Sequence, residues 1–134
     1  MKLFLKSFIY SFLWMIVIVL LSLLPSQDIP KPSFINIPYI DKIVHFFMYF
    51  IFSLLIIFGY LKYTKGNLKK KHIVISFAII VFWGGLMEIL QGVFQFSLGR
   101  NMNIVDFIAN LIGSLVAIIL FYITSKYWQK YIVK

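Results

Sequence analysis

Four long apolar segments constrain this chain more than any other feature of its sequence. They lie at about 4–24, 43–61, 72–92 and 104–124, and each approaches the roughly 20 residues that cross the hydrocarbon core of a bilayer. Apolar residues make up 62% of the 134 residues and charged residues only 13%, which is too apolar for a soluble domain. The sequence therefore predicts one domain, residues 1–134, folded as an all-α integral membrane protein whose four transmembrane helices form an antiparallel bundle.

The amino terminus resembles a signal peptide because Lys2 and Lys6 precede a long apolar run. Its apolar run is long, however, and no small-x-small cleavage site follows, so we expect an uncleaved first helix. The chain contains no cysteine, which excludes disulfides, thiolate metal sites and a cysteine nucleophile.

The positive charge is unevenly distributed between the connections. Ten of the 13 basic residues fall in the amino-terminal tail, the second connection and the carboxyl-terminal tail, namely Lys2, Lys6, Lys62, Lys65, Lys69, Lys70, Lys71, Lys126, Lys130 and Lys134. The remaining three are Lys31, Lys42 and Arg100. The positive-inside rule then predicts cytoplasmic termini, with connections 25–42 and 93–103 facing outward. The net charge of +9 is thereby explained without a nucleic-acid partner.

Three of the four acidic residues, Asp41, Glu88 and Asp106, sit inside or at the edge of the apolar segments. A carboxylate in lipid is costly, so such residues turn toward the bundle interior and mark function or pairing. Further polar residues follow each of them at helical spacing: His45 and Tyr49, Gln91, and Asn110. At about 100° per residue each helix carries one polar stripe, and the three stripes fall at similar depth. We expect one pocket near the outer surface, roofed by connections 25–42 and 93–103.

Arg100 is the only arginine among the 13 basic residues, and it lies on the predicted outer side between Glu88 and Asp106. Its planar fork can pair with a carboxylate or a phosphate through two hydrogen bonds, which lysine cannot do.

These residues resemble the VanZ-like family of membrane proteins over roughly residues 35–120. The resemblance rests on Asp41-Lys42-x-x-His45-Phe46-x-x-Tyr49 and on Glu88-x-x-Gln91, Arg100 and Asp106-x-x-x-Asn110-x-x-Gly113, in the family's order. The stretch from Gln91 to Arg100 is longer than usual, so Gln95 could take the part of Gln91. The family is named after a member linked to teicoplanin resistance. The resemblance implies a role in the cell envelope, with the chain in a bacterial cell membrane.

Structural explanations exist for most of these residues taken singly. Asp41 suits an N-cap of the second helix, Glu88 could form an internal salt bridge to Arg100, and Asp106 with Asn110 could pin the fourth helix. Gly113 suits close helix packing in lipid. These explanations leave open why the polar groups share one leaflet, and we therefore favour a site.

Three functions are compatible with such a site. The first is binding of a membrane lipid or a lipid-linked, glycopeptide-related envelope molecule at the outer leaflet. Its ligand-binding residues are Asp41, Lys42, Tyr49, Gln91, Arg100 and Asn110. The second is an enzyme, a hydrolase or transferase acting on a lipid-linked phosphate or acyl substrate, with His45, Glu88 and Asp106 as catalytic residues. The third, transport, is disfavoured because the inner halves of the helices carry few polar groups. We expect no cofactor, and a divalent cation on the carboxylates and His45 is the weaker alternative.

Overall fold

The computed structural model describes residues 1–28 and 39–132, with side chains as far as residue 127. The described elements are α1 (Lys2–Ser22), a 3₁₀ turn (Ser26–Asp28), α2 (Ile40–Tyr63), α3 (Lys70–Val93), α4 (Gln95–Leu98) and α5 (Ile104–Ile132). Within these ranges every regular element is helical, and α1, α2, α3 and α5 are long and apolar enough to cross a membrane. The predicted all-α class and the four spans are confirmed.

The helix ends differ from the predicted ones by a few residues. α1 ends at Ser22, and the Leu23 N–H donates to Val19 O at 2.9 Å before Pro25 makes further helix unfavourable. α2 begins before residue 43, and α5 extends beyond residue 124. The prolines at 30, 32 and 38, and residues 29–38 of the predicted roof, lie outside the described residues.

The predicted capping role of Asp41 is wrong. α2 already begins at Ile40, after Tyr39 in the left-handed region at φ 60°, and no side chain caps the helix. Asp41 therefore lies inside the first turn. A negative charge there still interacts favourably with the helix dipole, but it does not bind the free N–H groups as an N-cap would.

Contacts between the long helices show that successive helices run in opposite directions. Phe4 and Phe8 of α1 contact Tyr63 and Tyr60 at the end of α2, and the Trp14 indole N–H donates to the Met48 carbonyl at 2.9 Å.

α3 and α5 continue the alternation. His72, at the start of α3, stacks on Tyr60 at the end of α2, with 5.1 Å between the ring centroids. α5 runs parallel to α2, since Asn110 early in α5 contacts His45 early in α2, and Phe121 in the second half of α5 contacts Phe58 in the second half of α2. The bundle therefore has two distinct ends. We call the end at which α2 and α5 begin the cluster end, and we call the opposite end the lysine end.

α2 and α5 form the closest helix pair, and Gly113 makes their approach possible. A Cβ on Gly113 would collide with the carbonyl oxygen of Phe46, so that only glycine fits there. The predicted packing role of Gly113 is confirmed. Small residues at such contacts let helix backbones approach closely in lipid, where dispersion forces replace the hydrophobic effect between helices.

The bundle presents apolar side chains outward along its length. Leu20, Phe82 and Ile123, on three different helices, are each more than 60% exposed. The buried polar side chains face the bundle interior instead. This inside-out distribution suits a lipid environment, where exposed apolar side chains carry no cost.

Candidate functional site

Six polar side chains from α2, α3 and α5 are buried together at the cluster end. They are His45 and Tyr49 from α2, Glu88 and Gln91 from α3, and Asp106 and Asn110 from α5. The exposed fraction of each residue lies between 0% for Tyr49 and 7% for Asp106. We call these six residues the polar cluster. The sequence singled out all six, and the structure brings them to one place because the polar stripe of each helix turns inward.

A bridge of charged groups covers the cluster on its more exposed side. Lys42 Nζ lies 2.6 Å from Asp41 Oδ2 and 2.9 Å from Asp106 Oδ1. The Asp41 side chain is 45% exposed, that of Lys42 24% and that of Asp106 10%. Lys42 therefore joins α2 to α5 at the edge of the bundle. Sequence reasoning assigned Lys42 to a ligand and did not foresee its pairing with Asp106, because that pairing depends on how the two helices are packed.

His45 lies at the centre of the cluster. Its Nδ1 is 3.0 Å from Asn110 Oδ1 and 3.7 Å from Glu88 Oε1. Because an amide oxygen can only accept, the tautomer that forms this hydrogen bond is the one protonated at Nδ1. In the neutral imidazole this arrangement leaves Nε2 as the basic nitrogen.

Glu88 positions the beginning of α5. Its Oε2 accepts the Asn103 N–H at 3.0 Å, and the Asn103 side chain in turn accepts the Val105 N–H at 2.9 Å. Asn103 is thus the N-cap of α5, a role that its place just before an apolar run could have indicated. One carboxylate of α3 thereby sets the depth at which α5 enters the bundle.

Arg100 and Gln91 hold the carboxyl-terminal end of α1. Gln91 Nε2 donates to Ser22 O at 2.8 Å, and Arg100 Nη1 donates to Leu21 O at 3.0 Å and to Ser22 O at 3.3 Å. The last carbonyls of a helix lack internal partners and carry partial negative charge, which attracts a guanidinium.

This contact replaces the internal salt bridge considered for Glu88. Within residues 1–28 and 39–127, Arg100 forms no ion pair with Glu88 or Asp106. Ser22 has no sequence signal for its role, since it contributes a backbone carbonyl. Gln95 lies exposed on α4, so the structure places Gln91, rather than Gln95, among the buried residues.

Three buried polar atoms of the cluster have no hydrogen-bond partner in the described structure: Tyr49 Oη, Glu88 Oε1 and Asn110 Nδ2. Two of these side chains lie opposite Gly84, since a Cβ there would lie 3.3 Å from both Asn110 Nδ2 and Tyr49 Cε1. Together they offer an amide donor, a carboxylate acceptor and a hydroxyl that does both. Unsatisfied buried groups are costly, and they point to a water molecule or a polar group of a ligand as their partner.

Chemically, the arrangement can accept, donate and hold a proton, but it offers few metal ligands. The described residues contain no group of three histidine, aspartate or glutamate side chains placed to hold a metal ion.

Comparisons of the chain with protein-family models, with curated proteins and with solved structures find no match.

Proposed function

We propose that this chain is a VanZ-like multi-pass membrane protein whose polar cluster binds an anionic headgroup at the outer leaflet of a bacterial cell membrane. The ligand would be an envelope lipid or a lipid-linked, glycopeptide-related molecule, and binding would contribute to resistance against teicoplanin-type antibiotics. The observation that carries the proposal is the burial of six motif side chains on three neighbouring helices, three of which carry an unpartnered polar atom, namely Tyr49 Oη, Glu88 Oε1 and Asn110 Nδ2. Packing between the helices does not require these three unpartnered atoms.

The proposed orientation places both termini in the cytoplasm and the polar cluster outside. It is supported by the position of the lysines, because Lys2 and Lys6 begin α1 and Lys69, Lys70 and Lys71 begin α3, all at the lysine end. Anionic headgroups and the positive-inside rule favour that end on the cytoplasmic side.

Arg100 would supply the positive charge for the headgroup, since Lys42 is already paired with Asp41 and Asp106. Arg100 is only partly buried, and its described hydrogen bonds use Nη1 alone. The other guanidinium donors can form a bidentate pair with two oxygens of a phosphate or carboxylate. The acyl or isoprenoid tail would pack against the apolar outer faces of the helices.

Binding of an isoprenoid monophosphate to the purified protein tests this proposal. The uncharged isoprenoid alcohol of the same length serves as the reference ligand, and native mass spectrometry counts the bound molecules. We expect Arg100→Lys to weaken phosphate binding about tenfold, equivalent to about 1.4 kcal/mol, because lysine lacks the planar fork. Gln95→Ala, at an exposed position of α4, is the matched control. Equal affinity of wild type and Arg100→Lys would contradict a bidentate role of Arg100.

Resistance provides the cellular readout of the same proposal. A susceptible bacterium that expresses the wild-type chain should tolerate more teicoplanin than one that expresses Arg100→Lys at the same membrane level. A wild-type chain that gives no protection would separate headgroup binding from antibiotic resistance.

The geometry of His45 favours an enzyme as the second candidate. Asn110 orients the ring through Nδ1, which leaves Nε2 as general base, while Glu88 lies 3.7 Å from the ring and Arg100 can stabilise developing negative charge. The candidate reaction is hydrolysis or transfer on a lipid-linked phosphate or acyl group. Purified protein is incubated with a panel of envelope lipids, with His45→Ala and Glu88→Gln as inactive controls. Absence of turnover across the panel would leave binding as the function.

A purely structural network is the third candidate, favoured by the contacts of Glu88 with Asn103 and of Gln91 with Ser22. It predicts that variants of these residues change stability and headgroup binding in proportion. Variants that lose binding at unchanged stability would argue for a site.

A further inference from the structure

A second feature begins at the lysine end and extends to the middle of α2. A cavity of about 140 Å³ opens between α1, α2 and α3. Its walls are formed mainly by apolar side chains, among them Phe4, Phe8 and Met15 of α1, Phe52 and Ile56 of α2, and Ile79 of α3. An apolar cavity of this size holds a hydrocarbon of about the volume of benzene and stays dry when empty.

The cavity faces lipid rather than the bundle interior. Phe4 and Ile79 are 43% and 39% exposed, whereas Phe52 is fully buried at the back. The wall on α1 extends from Phe4 to Met15, which corresponds to about 16 Å along the helix. A groove of this length that begins near the membrane surface has the depth of an acyl chain in one leaflet, which is about half of the roughly 30 Å hydrocarbon core.

The mouth of the cavity is basic. Tyr60 lines it, and the ring of His72 stacks on Tyr60. The Lys69 N–H donates to His72 Nδ1 at 3.0 Å, so the amino-terminal end of α3 is fixed at the mouth, and Lys69 and Lys71 both come just before His72 in the chain. Both lysines are exposed. Two ammonium groups beside an apolar groove complement an anionic headgroup attached to a hydrocarbon chain.

We propose that this crevice binds one anionic phospholipid from the leaflet at the lysine end, with an acyl chain between α1, α2 and α3 and its phosphate against Lys69 and Lys71. This site shares no lining residue with the polar cluster, and its proposed headgroup contacts lie at the opposite end of the bundle, although Phe52 at the inner end of the crevice lies 6.3 Å from Tyr49 between ring centroids. Failure of one proposal therefore leaves the other intact.

The test uses the purified full-length chain in nanodiscs of equimolar phosphatidylglycerol and phosphatidylcholine with identical acyl chains. Native mass spectrometry after gentle removal of the nanodisc counts the retained lipids of each kind. We expect the wild type to retain phosphatidylglycerol in preference to phosphatidylcholine. The double variant Lys69→Gln/Lys71→Gln should lose this preference, because each lysine near a membrane surface strengthens binding of an anionic lipid roughly fivefold.

The double variant Lys2→Gln/Lys6→Gln is the matched control. It removes the same charge at the same end of the bundle, but helical spacing puts Lys2 and Lys6 on the side of α1 opposite Phe4, Phe8 and Met15. Equal loss of the preference in both double variants would overturn a specific site, because bulk charge at the membrane surface would then explain the effect.

Filling the cavity tests the acyl chain separately. Ser11 lies in the wall, is 4% exposed, and its hydroxyl has no partner in the described structure. Ser11→Leu should reduce the retention of phosphatidylglycerol severalfold, while Ser11→Ala leaves it unchanged. Circular dichroism verifies that both variants are folded. Full retention by a folded Ser11→Leu variant would contradict chain binding in the cavity. If Ser11→Leu does not fold, Ile79→Phe fills the opposite wall and serves as the second variant.

Discussion

At the scale of single residues, the buried polar groups divide into those that the fold uses and those that it leaves unpartnered. Lys42, Gln91 and Arg100 have partners on another helix. Glu88 belongs to both groups, since Oε2 accepts the Asn103 N–H and Oε1 accepts no hydrogen bond. The structural and functional roles of Glu88 can therefore be separated by a substitution that keeps one side-chain oxygen and removes the charge.

Glu88→Gln and Glu88→Ala should differ in stability. The glutamine keeps an oxygen that can accept the Asn103 N–H, so we expect Glu88→Gln to leave the free energy of unfolding nearly unchanged. Glu88→Ala leaves that N–H without its acceptor and should lower the free energy by about 1–3 kcal/mol. Unfolding in mixed micelles with increasing SDS measures both. Equal destabilisation by the two substitutions would show that the charge of Glu88, rather than its acceptor oxygen, supports α5.

Removal of Lys42 should be costly because Asp106 then remains largely buried without its cation. We expect Lys42→Gln to lower the free energy of unfolding by about 1–3 kcal/mol, between the values for exposed and buried ion pairs. The double variant Lys42→Gln/Asp106→Asn should recover most of the loss, since it removes both charges. Asp41→Asn, at the more exposed carboxylate, is the control and should have a smaller effect. A double variant no more stable than Lys42→Gln alone would contradict this pairing.

At the scale of helices, two contacts determine how the elements are placed. The backbones of α2 and α5 meet at Gly113, and the end of α1 is held by Gln91 and Arg100 from the α3–α5 region. The polar cluster depends on the first contact, because His45 and Asn110 lie on the two helices that Gly113 brings together. A change in helix spacing should therefore disturb the cluster without altering any of its residues.

Gly113→Ala should destabilise the bundle and Gly85→Ala should not. The Cβ on Gly113 would collide with the Phe46 backbone, and relieving such overpacking typically costs about 1–3 kcal/mol. A Cβ on Gly85 would meet only Phe107, at an ordinary 3.7 Å, and alanine favours the helix over glycine. Thermal unfolding in detergent compares the two variants. A Gly113→Ala protein as stable as wild type would mean that α2 and α5 separate at little cost.

At the scale of the whole molecule, charge and polarity are arranged along the bundle axis. The lysines of α1 and α3 gather at one end, the polar cluster lies at the other, and apolar side chains cover the surface between them. Each end would meet a different leaflet. The two proposed ligands, an envelope headgroup at the cluster end and an anionic phospholipid at the lysine end, follow from this polarity.

The proposed orientation can be measured directly because the chain has no cysteine. Gln95 is exposed near the cluster end, and Asn67 is exposed in the loop at the lysine end. The two test variants are Gln95→Cys and Asn67→Cys. In intact cells a membrane-impermeant maleimide should label the cysteine at position 95, while the cysteine at position 67 should react only after the membrane is opened. The opposite pattern would invert the orientation and move the polar cluster to the cytoplasmic leaflet.

The sequence alone determined the four spans, the charge asymmetry and the inward-facing polar stripes. These features depend on local quantities, namely the length of an apolar run, the period of a helix and the position of each charge. The tertiary structure alone decided which donor meets which acceptor. Arg100 binds the carbonyls of α1 instead of Glu88, and Lys42 reaches Asp106. Asn103 caps α5, whereas Asp41 does not cap α2. A hydrogen bond forms only within about 3 Å, and helix angle fixes a face but not that distance, which the packing of one helix against another sets.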